Sequence, residues 1–287
     1  MIRAFAILSL AALPLAPAFA RHSDDDDVDF RYEDHEAIHR TFALTGSQAD
    51  WKLIVNNVSG RIHVTGYEGT EVRIDVDRHN MAESRDRLDE AKRRITLEIS
   101  QSGGTVRVYE DGPFRNGDDG INYRGDRHYG YRVDFNYEIQ VPRAIALNLH
   151  NFNHGPIEVR NTSGEFDVHD FNSGINMDEI AGFGSVHTFN GPIKVTFSRN
   201  PEHDTHFKTF NGSVDVYFRP ELNADLRFKT FNGGIYSDFE MAPTPTEAHG
   251  TRFVYRSGRS GNGRIGKGGP QLTFDGFNGT IRLHSKS

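Results

Sequence analysis

Six Phe-Asn pairs each open a short turn that leads into an Ile/Val-rich segment: Phe152-Asn153, Phe171-Asn172, Phe189-Asn190, Phe210-Asn211, Phe231-Asn232 and Phe277-Asn278. The asparagines step by 19, 18, 21 and 21 positions and then by 46, about two further steps. A constant period of this size marks a repeat architecture, in which each unit buries its apolar face only against its neighbours. Alignment on the asparagine produces columns. Four residues before it stand Leu149, Val168, Val186, Phe207, Phe228 and Phe274; two before it stand the small or polar Asn151, Asp170, Thr188, Thr209, Thr230 and Gly276. After the turn come Ile157/Val159, Ile175/Met177, Ile193/Val195, Val214/Val216, Ile235/Ser237 and Ile281/Leu283.

Alternation with a period of two on both sides of each turn means two strands per repeat, each with one buried face. Stacking equivalent strands in parallel, about 4.8 Å apart, builds a core that no single repeat can form. The expected fold is therefore an all-β, single-domain parallel β-solenoid with two strands per coil, an N-terminal β portion and one short helix. The Phe-Asn-Gly unit reads as a corner device. Asn-Gly, Gly-Gly and Ser-Gly tolerate positive φ, and the asparagines 153, 172, 190, 211, 232 and 278 are placed to hydrogen-bond up the stack as a structural turn ladder (Asn153, Asn172, Asn190, Asn211, Asn232, Asn278), with the Phe rings stacked beside them. The first copy carries one extra turn residue, His154. Four Asn-x-Ser/Thr matches, at Asn57, Asn161, Asn211 and Asn278, read as by-products of the same turn chemistry.

Residues 1–20 read as a signal peptide: Arg3, an apolar run from Ala4 to Leu13, and Ala18-Phe19-Ala20 as the cleavage pattern. The run is too short to span a bilayer, and no later segment reads as transmembrane. Residues 21–39 form an expected acidic, flexible N-terminus, 40–142 the N-terminal β portion capping the stack, and 143–287 the regular coils. Residues 81–94 are the one convincing helix, and 110–130 form a long turn-rich excursion. In the 46-residue step the missing copy is expected as a degenerate rung at Thr251–Arg256. There is no cysteine, which excludes a lipidated N-terminal Cys, disulfides and thiolate chemistry. Removal of residues 1–20 takes one arginine from the 33 basic residues and none of the 40 acidic ones, leaving a net charge of −8. An acidic surface of this kind argues against nucleic acid as a partner.

One outward column is unusual. Three residues before the asparagine stand His150, His169 and His187, followed by Lys208, Lys229 and Asp275. Imidazoles on adjacent rungs, about 4.8 Å apart, suit a divalent transition ion or an anion, or make a pH-sensitive patch. The plainer reading is a polar column facing solvent, since no carboxylate is evident to orient the rings: Asp170 lies next to His169 but should point the other way. His150, His169, His187, Lys208 and Lys229 are accordingly candidate binding residues, with no metal and no cofactor expected. Parallel β-helices also host polysaccharide lyases and glycosidases, which need paired acids. The outward column of the second strand, Glu158, Asn176, Lys194, Asp215, Tyr236 and Arg282, contains no adjacent acids. A groove joining Asp118/Asp119 to Asp238/Glu240 would favour the enzyme reading. Gly261-x-Gly263-x-x-Gly266 is followed by Lys-Gly-Gly-Pro270, which cannot open a helix, so it is no dinucleotide site.

The chain resembles a bacterial family of exported β-solenoid proteins, the putative adhesins of unknown function. The matching pieces are the turn and strand from Leu53 to Val64, the strand from Glu71 to Val76 and the Ala82–Arg94 helix, with Ile139-Gln-Val-Pro142 and the closing Phe277-Asn-Gly-Thr-Ile-Arg-Leu. The resemblance covers roughly residues 40–287. It implies surface adhesion and supplies no catalytic residues. The expected function is a non-catalytic, adhesin-like binding or structural module of the cell envelope, periplasmic or at the cell surface. The alternative is a carbohydrate-active enzyme on a β-helix. Expected partners are envelope glycans or other envelope proteins, with homo-oligomerisation through an exposed C-terminal edge as a further option.

Overall fold

A computed structural model describes residues 29–116, 120–122, 129–243 and 260–286. The expected signal peptide, Asp118/Asp119 and the Thr251–Arg256 rung lie outside the described residues. The chain folds as an all-β single domain with one short α-helix, built on a 10-stranded sheet A and an 11-stranded sheet B. Alternation explains the layering: along Phe166–Asp170 or Val214–Phe218 every second residue is buried, and the buried residues of both sheets merge into one apolar core.

In sheet A every pairing from Tyr131–Pro142 through Ile62–Tyr67 and the repeat strands to Ile235–Ser237 is parallel. The same holds in sheet B from Thr105–Asp111 to Ala224–Asn232. At the outer ends the pairing becomes antiparallel, through Glu71–Ala82 and Tyr32–Ala43 in sheet A and through Thr96–Ser102 and Ser260–Ile265 in sheet B. The sheets are therefore mixed, where wholly parallel stacking was expected.

Two expectations for the N-terminal part need correction. The acidic segment is ordered from residue 32, because Tyr32–Ala43 pairs along its whole length with Glu71–Ala82. His35 and His39 meet Asp77 and Asp75 across that ladder at 2.9 and 2.6 Å, and Ile38 and Phe42 pack on the core. The helix spans Arg85–Arg94, not 81–94. Met81 and Ala82 complete the preceding strand, and Ser84 is the N-cap, accepting from the Arg87 amide. At the other end Arg78, almost buried, donates to the carbonyls of Ala91, Lys92 and Ile95 and so satisfies groups the helix leaves open.

The C-terminal strands are not at an edge. Gln271–Asn278 lies between Thr205–Asn211 and Ala224–Asn232, and Ile281–Ser285 lies between Val214–Phe218 and Ile235–Ser237. The last coil in sequence is thus inserted one rung below the coil that precedes it, so the strand at that edge of sheet A is Ile235–Ser237 and not the C-terminal strand. The Phe file of sheet B accepts either order, since Phe207, Phe274 and Phe228 stack with centroids 5.1 and 5.3 Å apart. In sheet A the observed order buries Ile281 and Leu283 inside and leaves Ile235 and Ser237 in the outer strand, and the outward charges agree with it. Stacking in chain order would set Lys229 on Lys208, whereas the observed order puts Asp275 between them and brings Arg282 to 3.2 Å from Asp215. Exposed pairs of this kind contribute only about 0–1 kcal/mol each, so burial of Leu272, Phe274, Ile281 and Leu283 holds the order and the charges reinforce it.

At the corners the asparagines form one continuous file in the same spatial order. Asn172 donates to Asn153, Asn190 to Asn172, Asn211 to Asn190, Asn278 to Asn211 and Asn232 to Asn278, at 2.6–2.9 Å. The glycines here serve close approach more than positive φ: a Cβ on Gly191 or Gly233 would fall 2.1 or 1.8 Å from the neighbouring rung's carbonyl oxygen. The extra residue of the first copy is absorbed by His154, which takes a left-handed conformation at φ 60°.

Candidate functional site

The parallel register of sheet B carries every outward side chain onto the same column as its equivalent one rung away. His150 is directly opposite His169, His169 opposite His187, and His187 opposite Lys208. His150 and His169 stack with centroids 4.8 Å apart and planes 12° from parallel, while His187 meets His169 edge-on at 5.1 Å. One residue past the buried Asn151 column, the Phe rings project to solvent and stack face to face. The file runs Phe152, Phe171, Phe189, Phe210, Phe277, Phe231, with centroid steps of 4.5–4.9 Å and planes within 10°. Phe171, Phe189, Phe210, Phe277 and Phe231 remain 38–44% exposed, so the ring edges form a contiguous apolar strip.

Between strip and column lies an open groove of about 1010 Å³. The histidines, Asn148, Asp167 and Lys208 form its floor, Phe152 to Phe210 one wall, and Arg107 and Ile121 its far end. Of the residues singled out in the sequence, His150, His169, His187 and Lys208 are brought together here. Lys229 is not: Asp275 separates it from Lys208, and it lies outside the groove.

The carboxylate that the sequence left without a candidate is Asp167. Its Oδ1 is 2.8 Å from His169 Nε2, and its Oδ2 accepts from Asn148 at 3.3 Å. The signal was available, since residues two apart on a strand share a face. Asp170 points inward, 4% exposed, accepting the Ser173 amide at 2.7 Å. Burial pushes its pKa up to about 7, against the pull of that amide. Burial, with the His169 and Lys208 charges beside it, pushes His187 down to about 4, and its Nε2 is buried with no hydrogen-bond partner among the described residues. His206, two residues before Lys208 and 6.1 Å from His187, extends the imidazole row.

A second cluster escaped the sequence because it lies on the segment read as flexible. His35 stacks on His79 at 4.1 Å, with Glu33 3.4 Å from His79 and Asp77 2.9 Å from His35. It is more exposed than the groove floor and forms no cavity wall with it.

Fold and groove together define an all-β protein of two large packed sheets carrying an elongated, amphipathic surface site. No protein-family model matches the chain, and no curated protein matches it. Solved structures similar to it include a putative cell adhesion protein from Clostridium sporogenes, at 12% identity and TM-score 0.41, covering 88% of this chain and 100% of that one. A putative lipid binding protein from Parabacteroides distasonis aligns at 9% identity and TM-score 0.24, over 87% and 95% of the two chains. A putative adhesin from the same organism aligns at 8% and 0.22, over 86% and 97%. At these identities and scores the function must be read from the site itself. No helix among the described residues is long and apolar enough to cross a membrane.

Proposed function

We propose that the protein is an exported, non-catalytic binding module of the cell envelope, adhesin-like, built on a parallel two-sheet β-solenoid and taking an extended envelope glycan along the groove of sheet B. The exposed Phe file carries this reading. Singly exposed apolar residues are ordinary, but a contiguous apolar strip flanked by polar groups marks an interaction surface. The rings use their faces on one another, so they offer edges, a flat apolar rail beside a column of imidazole and amide donors and acceptors. A sugar polymer, with C–H surfaces and hydroxyls on one chain, complements both.

The carboxylates favour binding over cleavage. Among the described lining residues they are Asp167 and Asp170, and Asp170 is turned into the corner by the Ser173 amide. Glycoside hydrolysis needs two acids facing the same bond. Export rests on the pattern of residues 1–20.

The test uses the mature chain in EDTA on a glycan array. Binding to at least one envelope glycan is expected, falling at least tenfold in a Phe189→Ser/Phe210→Ser double variant and unchanged in Tyr236→Ser, on the outer face of sheet A. Binding that ignores the double substitution, or no glycan bound at all, removes the reading. An intact mass beginning at Arg21 is expected from the exported fraction, and a product that retains residues 1–20 removes export.

A further inference from the structure

The geometry points to a divalent transition-metal site on the groove floor, formed by His150, Asp167 and His169. Its support is the donor geometry alone and does not depend on a glycan ligand. One donor atom from each of the three residues lies within 4.8 Å of the other two, and all three side chains are half-buried. Two imidazoles and a carboxylate are a donor set for Zn²⁺, Ni²⁺ or Cu²⁺, not for Mg²⁺ or Ca²⁺, which prefer oxygen.

The separations fit. Asp167 Oδ1 and His169 Nε2 are 2.8 Å apart. Two donors at that spacing, each bonded at about 2.0–2.1 Å, subtend roughly 85–90° at the ion, an angle within reach of a distorted zinc site. His150, stacked on His169, offers the third donor within 4.8 Å of the other two. Asp167 is already anchored through its second oxygen by Asn148 at 3.3 Å, the outer hydrogen bond that ligating carboxylates use.

The surroundings fit as well. The site opens onto a groove of about 1010 Å³, wide enough for a hydrated ion to arrive and for a fourth position to remain open. Parallel register keeps the two principal histidines on adjacent strands at the sheet spacing, so rigid backbone positions both.

The experiment is a ZnCl₂ titration of the untagged mature protein after EDTA stripping, followed by histidine ring NMR signals and the thermal midpoint. One equivalent should shift the His150 and His169 signals first and raise the midpoint. Co²⁺ in its place should give the visible absorption of a four-coordinate ion. Asp167→Asn and His169→Ala should each weaken zinc binding by more than the roughly 10–100-fold that loss of an outer-shell partner costs, while His35→Ala leaves it unchanged. No stoichiometric zinc binding overturns the site. So does binding that survives His169→Ala, or that shifts His35 and His79 first, since the ion then sits elsewhere. Should a variant lose its far-UV circular dichroism, the order of signal shifts in the unaltered protein decides. Because the glycan test is run in EDTA, failure of either leaves the other standing.

Discussion

Ending the chain at Pro270 is expected to unfold the C-terminal third of the stack, not to trim its tip. The deleted residues contain Gln271–Asn278 and Ile281–Ser285, which are paired on both sides by strands that precede them in sequence. They carry Leu272, Phe274, Ile281 and Leu283, all at most 1% exposed. Burial of each such side chain contributes about 1.5–3 kcal/mol, so the loss is on the order of a whole domain's net stability of about 5–15 kcal/mol. It also leaves Ala224–Asn232 and Ile235–Ser237 with no parallel neighbour toward the rest of the sheets. Hydrogen exchange read strand by strand should show protection lost at 205–218 and 224–237 and retained at 52–67. Protection surviving at Ala224–Asn232 in the truncated chain would show that this coil closes directly onto Thr205–Phe218 and does not need the inserted coil to fold.

The second large effect is on pH dependence, through Glu110. This carboxyl is 1% exposed and accepts the Val58 and Ser59 amides at 2.6 and 3.3 Å, in the corner joining Lys52–Asn56 to Ile62–Tyr67. Burial raises its pKa from 4.5 to about 8, outweighing the Val58 amide and the nearby Arg115 charge. Between those two values the folded chain holds a proton that the unfolded chain has released, so the stability is whole below pH 4.5 and is lost as pH rises through 8. Asp170, raised to about 7, acts in the same direction. His187, lowered to about 4, acts oppositely, but only as pH falls below 6.5. From pH 6.5 upward the two buried carboxyls set most of the slope, and exposed His35, raised by its hydrogen bond to Asp77, acts in the same direction. Glu110→Gln keeps an acceptor for Val58 and cannot ionise. Its thermal midpoint should fall much less than that of the parent between pH 6.5 and 9, with an advantage on the order of a few kcal/mol at the upper end. Parallel curves for the two proteins would show that Glu110 is ionised in the fold at neutral pH.

The columns aligned on the asparagines were legible because they depend only on the strand period and on repetition. The buried files of Leu149 to Phe274, the polar corner file of Asn151 to Thr230 and the outward histidines all follow from counting residues. Asp167 follows from the same counting, since it stands two residues before His169 and shares its face. His35 on His79 was of another kind. Its partners are 44 residues apart, and nothing local in an acidic segment announces an antiparallel mate.

Periodicity by itself determined which side chains face inward, which face outward and where each corner falls, because a strand's alternation and a turn's glycine requirement are local properties. It did not determine neighbours. The 46-residue step reads as a skipped rung, yet the tertiary structure returns the last coil into the gap between Thr205–Phe218 and Ala224–Ser237. The Phe file of sheet B accepts either order, but sheet A buries Leu283 inside and leaves Ser237 in the outer strand, and Asp275 between two lysines and Arg282 beside Asp215 agree with that order. Such pairings exist only once the sheets are assembled, and the same assembly turns a file of spaced histidines into a groove floor with an aspartate in reach.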